Sequence, residues 1–206
     1  MNDSYKTIDG NSEEVLFKEK GSKFFGYAYH VSDEEAISDI LDSLRAKHHS
    51  ARHWCYAWQL GEEEFRYRAN DDGEPSNSAG MPIYGQIQSF ELTNVLIVVV
   101  RYFGGIKLGV GGLISAYKTT AQMALESSPI IEKTINRCFR IQFGYPDMNK
   151  VMRIIKERNL EITDQKMDLT CEMTVSTRKG DVGKLLNDFE PHHQIILNSV
   201  DCHSTS

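Results

Sequence analysis

The aromatic and apolar positions of "KFFGYAYHV" (Lys23–Val31) read as a strand. The period then changes. In "SDEEAISDILDSLRAKH", Ile37, Ile40, Leu41 and Leu44 form one apolar helical stripe, and Ser32 with Glu35 reads as a capping box. "HWCYAWQL" and "EFRYRAN" read as a hairpin pair. "DDGEPSNSAGMP" is a loop by its turn residues, and "MPIYGQIQSF" predicts a short helix. "VLIVVV" (Val95–Val100) does not alternate, which predicts a strand buried on both faces. It runs into "RYFGGIKLGVGGLISAY", with glycines at 104, 105, 109, 111 and 112. A helix is expected to start near Gly111 and to cover Leu113–Leu125.

Ser127, Ser128 and Pro129 stop that helix, so residues 1–130 and 131–206 are expected to be separate domains joined near Pro129. "RCFRIQFGY" (Arg137–Tyr145) reads as a strand. The helix after it aligns Met148, Val151, Met152 and Ile155. "LEITDQK" and "LTCEMTVST" are paired strands. A second helix aligns Val182, Leu185, Leu186 and Phe189, Pro191 ends it, and "QIILNSV" closes as a strand. The order β-α-β-β-α-β is that of ferredoxin-like domains, so the fold class is α+β. Residues 1–13 are expected to be partly disordered.

Composition adds limits. The chain has 206 residues and a net charge of −6, ordinary for a globular protein but acidic for one that coats nucleic acid. Residues 1–130 carry 12 basic and 18 acidic residues, a net of −6, and residues 131–206 carry 11 of each. A local basic groove is compatible with that total, and Arg52, Arg66, Arg68, Arg101 and Lys107 are its expected members. No apolar run approaches the roughly 20 residues of a spanning helix, and "MNDSYKTIDGNSEE" has no leader character. No membrane association and a cytoplasmic location are the default expectations. Cys55, Cys138, Cys171 and Cys202 are far apart and are read as inert thiols.

Strand, glycine loop and helix is an arrangement that accepts phosphate, through close backbone approach and unpaired first-turn amides. Neither standard nucleotide pattern is met. In the Walker A register Val110 and Gly111 stand where Lys and Ser/Thr belong, and in the dinucleotide register Ile114 stands at the last glycine. Arg101 and Lys107 flank the loop; the competing reading is a packing turn. Asp71, Asp72 and Glu74 could face a hard cation, but a solvated, self-capping turn is the preferred reading. His48, His49 and His53 lack zinc-ligand spacing, and a catalytic pair of Cys55 with His53 is not expected. Trp54, Tyr56, Trp58, Phe65 and Tyr67 alternate along the hairpin and are read as core in preference to a base-stacking face. No catalytic residue, metal or cofactor is expected.

"ARHWCYAW" (Ala51–Trp58), "DDGEPSNSAGMPI" (Asp71–Ile83) and "LTNVLIVVVRYFGGIKLGVGGLISAY" (Leu92–Tyr117) resemble the signatures of the IMPACT family, and of its bacterial YigZ-like members in particular. The resemblance implies a first half similar to the second domain of ribosomal protein S5 and a ferredoxin-like second half. Eukaryotic members regulate translation initiation through an added N-terminal RWD domain, for which this sequence has no counterpart. What carries over is a translation-linked regulator without enzymatic activity, binding RNA or the ribosome. The matched positions include Arg52, Arg101, Gly104, Gly105, Lys107, Gly109, Gly111 and Gly112, as the anion site, and the loop Asp71, Asp72, Gly73, Glu74, Pro75 and Ser76. Met81 departs from the family's basic residue before the proline. A protein-interaction regulator without nucleic acid and a small-molecule phosphate enzyme are the alternatives.

Overall fold

Val95, Ile97 and Val99 of "VLIVVV" pack into one core, Leu96, Val98 and Val100 into another, and all six are fully buried. Two layers of helices on opposite faces of one sheet explain the missing alternation. The computed structural model describes Asp3–Cys202. Two compact units divide the chain, one from Tyr5 to Lys133, the other from Thr134 onward together with the described residues before Tyr5.

The first unit holds β1 (Ser4–Ile8), β2 (Val15–Glu19), β3 (Ser22–His30), α1 (Glu34–Lys47), β4 (His53–Leu60), β5 (Arg66–Asn70), α2 (Gly80–Ser89), β6 (Val95–Tyr102), α3 (Gly109–Glu126) and β7 (Ile130–Thr134). Its main sheet is antiparallel, in the order β2-β3-β6-β4-β5. Ile37, Leu41 and Leu44 of α1 cover one face with Trp54, Tyr56 and Trp58 of β4. Helices α2 and α3 cover the other face over Phe24, Cys55, Ala57 and Val99. The hairpin aromatics therefore divide: three join the α1 core, whereas Phe65 and Tyr67 stay exposed and Tyr67 stacks on Tyr84 at 4.2 Å.

Three local expectations are corrected. Asp33, and not Ser32, caps α1, its carboxylate accepting from the Ala36 amide at 2.9 Å, because an ionised acceptor one residue later outcompetes the hydroxyl. Helix α3 begins at Gly109, so three of the glycines lie in its first turn. The segment after Pro129 is a strand, β7, paired with β1. That pairing also orders residues expected to be disordered: Thr7 and Ile8 are fully buried. The partner of β1 is more than a hundred residues away, so no local pattern announces it.

The second unit runs β8 (Asn136–Phe143), α4 (Met148–Glu157), β9 (Glu161–Met167), β10 (Cys171–Arg178), α5 (Val182–Phe189) and β11 (Ile196–Val200). The sheet order β11-β8-β10-β9 and its antiparallel ladders are ferredoxin-like. Both helices cover one face, where Val151, Ile154, Leu185 and Phe189 meet Ile141, Met173 and Val175; Leu186, expected in the stripe, is exposed. Cys138 and Cys202 are bonded, so two of the four thiols expected to be inert are not free; Val200 pairs opposite Cys138 and returns the chain end to it, with Cα atoms 5.1 Å apart. Cys55 and Cys171 are free and buried.

Candidate nucleic-acid interface

The antiparallel register sets His53 opposite Arg101, and Arg101 opposite Phe24, at one end of the main sheet. Arg52, exposed, immediately precedes β4 at that end. The loop from Asp71 to Ser78 closes over it, and each carboxylate there has a structural task. Asp71 accepts from the amides of Asn77, Ala79 and Gly80 at 2.8–3.0 Å, which caps the start of α2. Asp72 accepts from the Trp54 amide at 2.7 Å, and its carbonyl accepts from the Nδ1–H of His53 at 2.8 Å. Glu74 receives the Arg101 guanidinium at 2.6 Å and the Tyr117 hydroxyl at 2.8 Å.

That last cluster is buried. The side chains of Arg101 and Glu74 are only 7% and 5% exposed. Arg101 lies over the rings of Phe24 and Phe103, 5.5 and 5.6 Å from their centroids, and its Nε makes no hydrogen bond. Both rings are within cation–π range of the guanidinium. Burial pushes the neighbouring Cys55 thiol and the Tyr117 hydroxyl up, so neither offers an anionic nucleophile at neutral pH. His48 bonds to the hydroxyls of Tyr27 and Tyr102, away from His53, and among the described residues no group of His, Cys, Asp and Glu could hold a metal ion.

The glycine loop divides by task. Gly104 passes Gly21 so closely that a Cβ would stand 1.9 Å from a backbone carbon, and Ser22 holds its amide at 3.1 Å. Gly105 and Gly109 have φ of +89° and +70°, the left-handed region. Gly112 is tight against Leu108. Gly111 is different: it has ordinary helical backbone, is exposed, and a Cβ on it would meet nothing within 4 Å. No side chain caps α3 and no acidic residue lies in its first turn, in contrast to α2 under Asp71. Lys107 is exposed, and so are Phe103, Ile106 and Val110. Between Glu91 and Glu126 the chain has no acidic residue but contains Arg101, Lys107 and Lys118.

The Impact N-terminal domain family matches residues 20–125, over half of the chain. The chain belongs to the IMPACT family. The IMPACT family member YvyE of Bacillus subtilis is 34% identical over 75% of this chain and 70% of its own length. YigZ of Escherichia coli is 34% identical over 68% and 70%. A crystal structure of a hypothetical protein, 25% identical, superposes over 98% of this chain and all of its own with a TM-score of 0.71. The two-domain translational regulator Yih1 is 28% identical over 57% of this chain and 46% of that one, at a TM-score of 0.39.

Within the IMPACT fold, then, the structure gathers Arg52, Arg101 and the Asp71–Ser76 loop, and Gly104 joins them through Ser22. It does not gather Arg66 and Arg68. They pair with Leu60 and Trp58, toward the far end of β4 and on the opposite sheet face from Arg101, and Arg66 engages Glu34. The expected five-residue basic groove is therefore not formed. Arg101 carries its charge into the ion pair with Glu74, which leaves Lys107 and Arg52 as the exposed members of that expected set at this end of the sheet. Phe103 carries no signal of its own in the sequence; the acid-free run around it is the signal that composition by halves averages away.

Proposed function

We propose that this IMPACT protein is a translation-linked regulator that binds RNA, taking a backbone phosphate at the start of α3. The regulatory role is the one implied by the family resemblance, and the resemblance of both units to domains of translation proteins agrees with it. The observation that carries the RNA reading is the α3 start itself. Its first-turn amides have no side-chain cap, Gly111 leaves the approach open, and Lys107 supplies charge within an acid-free run. Helix α2 provides the contrast, since Asp71 already occupies its amides. The absent Walker lysine and hydroxyl disfavour a nucleoside triphosphate.

Phosphate contacts release counterions, so affinity should fall steeply with salt. Lys107→Ala should weaken binding about equally for all sequences and lower the salt slope by about 1, with folding unchanged. Fluorescence anisotropy across a salt series measures both. An unchanged slope in Lys107→Ala would make the loop a packing turn. The exposed side chains of Phe103, Ile106 and Val110 favour a second reading, a protein partner on the same loop. A chain that ignores RNA but retains a protein would select it.

A further inference from the structure

Phe103 stands in the glycine loop with 53% of its surface exposed. Large aromatic rings are seldom left in water without a use, and this one is not loose. The Arg101 guanidinium lies over one face, 5.6 Å from the ring centroid. That guanidinium is itself fixed by Glu74 at 2.6 Å and lies 5.5 Å from the ring centroid of the fully buried Phe24. Both rings are within cation–π range of one guanidinium that is anchored in the core. A ring held in this way loses little freedom when a further plane is added, which is the advantage of preorganisation.

We propose that Phe103 is a stacking platform for an unpaired nucleobase, so that the RNA taken by this loop is single-stranded at the point of contact. The inference rests on the RNA reading above and adds the form of the ligand. Bases within a duplex already cover both of their faces, whereas an unpaired base has a free π-face that any aromatic plane can meet. Arg101 acts here as a positioning residue. Its charge is matched by Glu74, and its guanidinium lies within cation–π range of Phe103. Phosphate and base would then be contacted by one loop, the base by its third residue and the phosphate by the helix start that follows.

The test uses the full chain with a labelled oligoribonucleotide, single-stranded or annealed to its complement, at one salt concentration. Single strands should bind more tightly than the duplex. Phe103→Leu should weaken single-strand binding about tenfold, a loss of ~1.4 kcal/mol, while the salt slope stays that of the unmodified chain. Phe103→Tyr, which keeps the plane, should bind normally and shows that the position tolerates change. A fluorescent base analogue in the strand should be quenched by the unmodified chain and by Phe103→Tyr, but less by Phe103→Leu. Equal binding of Phe103→Leu, or equal affinity for strand and duplex, overturns the platform. If Lys107→Ala still lowers the salt slope in that case, the RNA reading survives without it. Failure of the unmodified chain to bind either form removes both.

Discussion

Arg101 shows how far a residue type can mislead. An arginine beside a glycine loop reads as a phosphate ligand, yet its partner is Glu74, 27 positions earlier, and the pair is buried. Removing one member of such a pair leaves an uncompensated charge, which is why its role is structural. His48 belongs to a second network that the sequence did not announce. Tyr27 gives its only proton to Glu14 at 2.5 Å, so the Nε2–H of His48 must donate to the Tyr27 oxygen at 2.6 Å. Neutral His48 then accepts at Nδ1 from Tyr102 at 3.0 Å. Burial holds its pKa below the ordinary value, and Lys47 pushes the same way against the opposing charge of Glu14. An unfolded histidine takes up protons more readily, so this stability is present above the ordinary pKa of about 6.5 and is lost as pH falls through the lower folded value. Urea midpoints should therefore drop between neutral and mildly acidic pH, and His48→Gln should flatten the drop. His30, lowered by its own burial, would keep part of the slope. An identical pH profile in His48→Gln would show that the network does not titrate.

At the scale of elements, the glycines of the loop divide between packing and the proposed anion site. Gly104 is a packing glycine: Gly104→Ala should cost about 1–3 kcal/mol, because the new methyl group meets backbone that cannot move aside. A wild-type denaturation midpoint for that variant would contradict the close approach to Gly21. The elements themselves were legible wherever periodicity was local. The α1 stripe, the doubly buried β6 and the βαββαβ order of the second unit follow from spacing alone. The first turn of α3 was hidden because glycines are poor helix formers in isolation, and here tertiary packing of Leu113, Ala116 and Tyr117 holds them helical. The carboxylates of the Asp71–Glu74 loop could be identified as a turn, but not their partners, which come from four other segments.

At the scale of the whole molecule, long-range pairings are what the sequence concealed. Strand β1 has no meaning without β7, and Cys138 has no visible relation to Cys202 until β11 pairs with β8. Among the described residues, no helix is long and apolar enough to cross a membrane. The chain's acidity is also unevenly spread, and the one long run without Asp or Glu leads from the centre of the sheet into α3. Gly111 decides whether the start of α3 accepts an RNA phosphate, as proposed. The fold does not require glycine there, and valine is no worse a helix former. Binding of a single-stranded oligoribonucleotide to the full chain should be compared for the unmodified protein and Gly111→Val at low salt, with thermal unfolding of both as the control. An unchanged unfolding midpoint and an affinity lowered tenfold or more, ~1.4 kcal/mol, are expected, because the side chain fills the path of approach. Equal affinity in a folded Gly111→Val would contradict the proposed site.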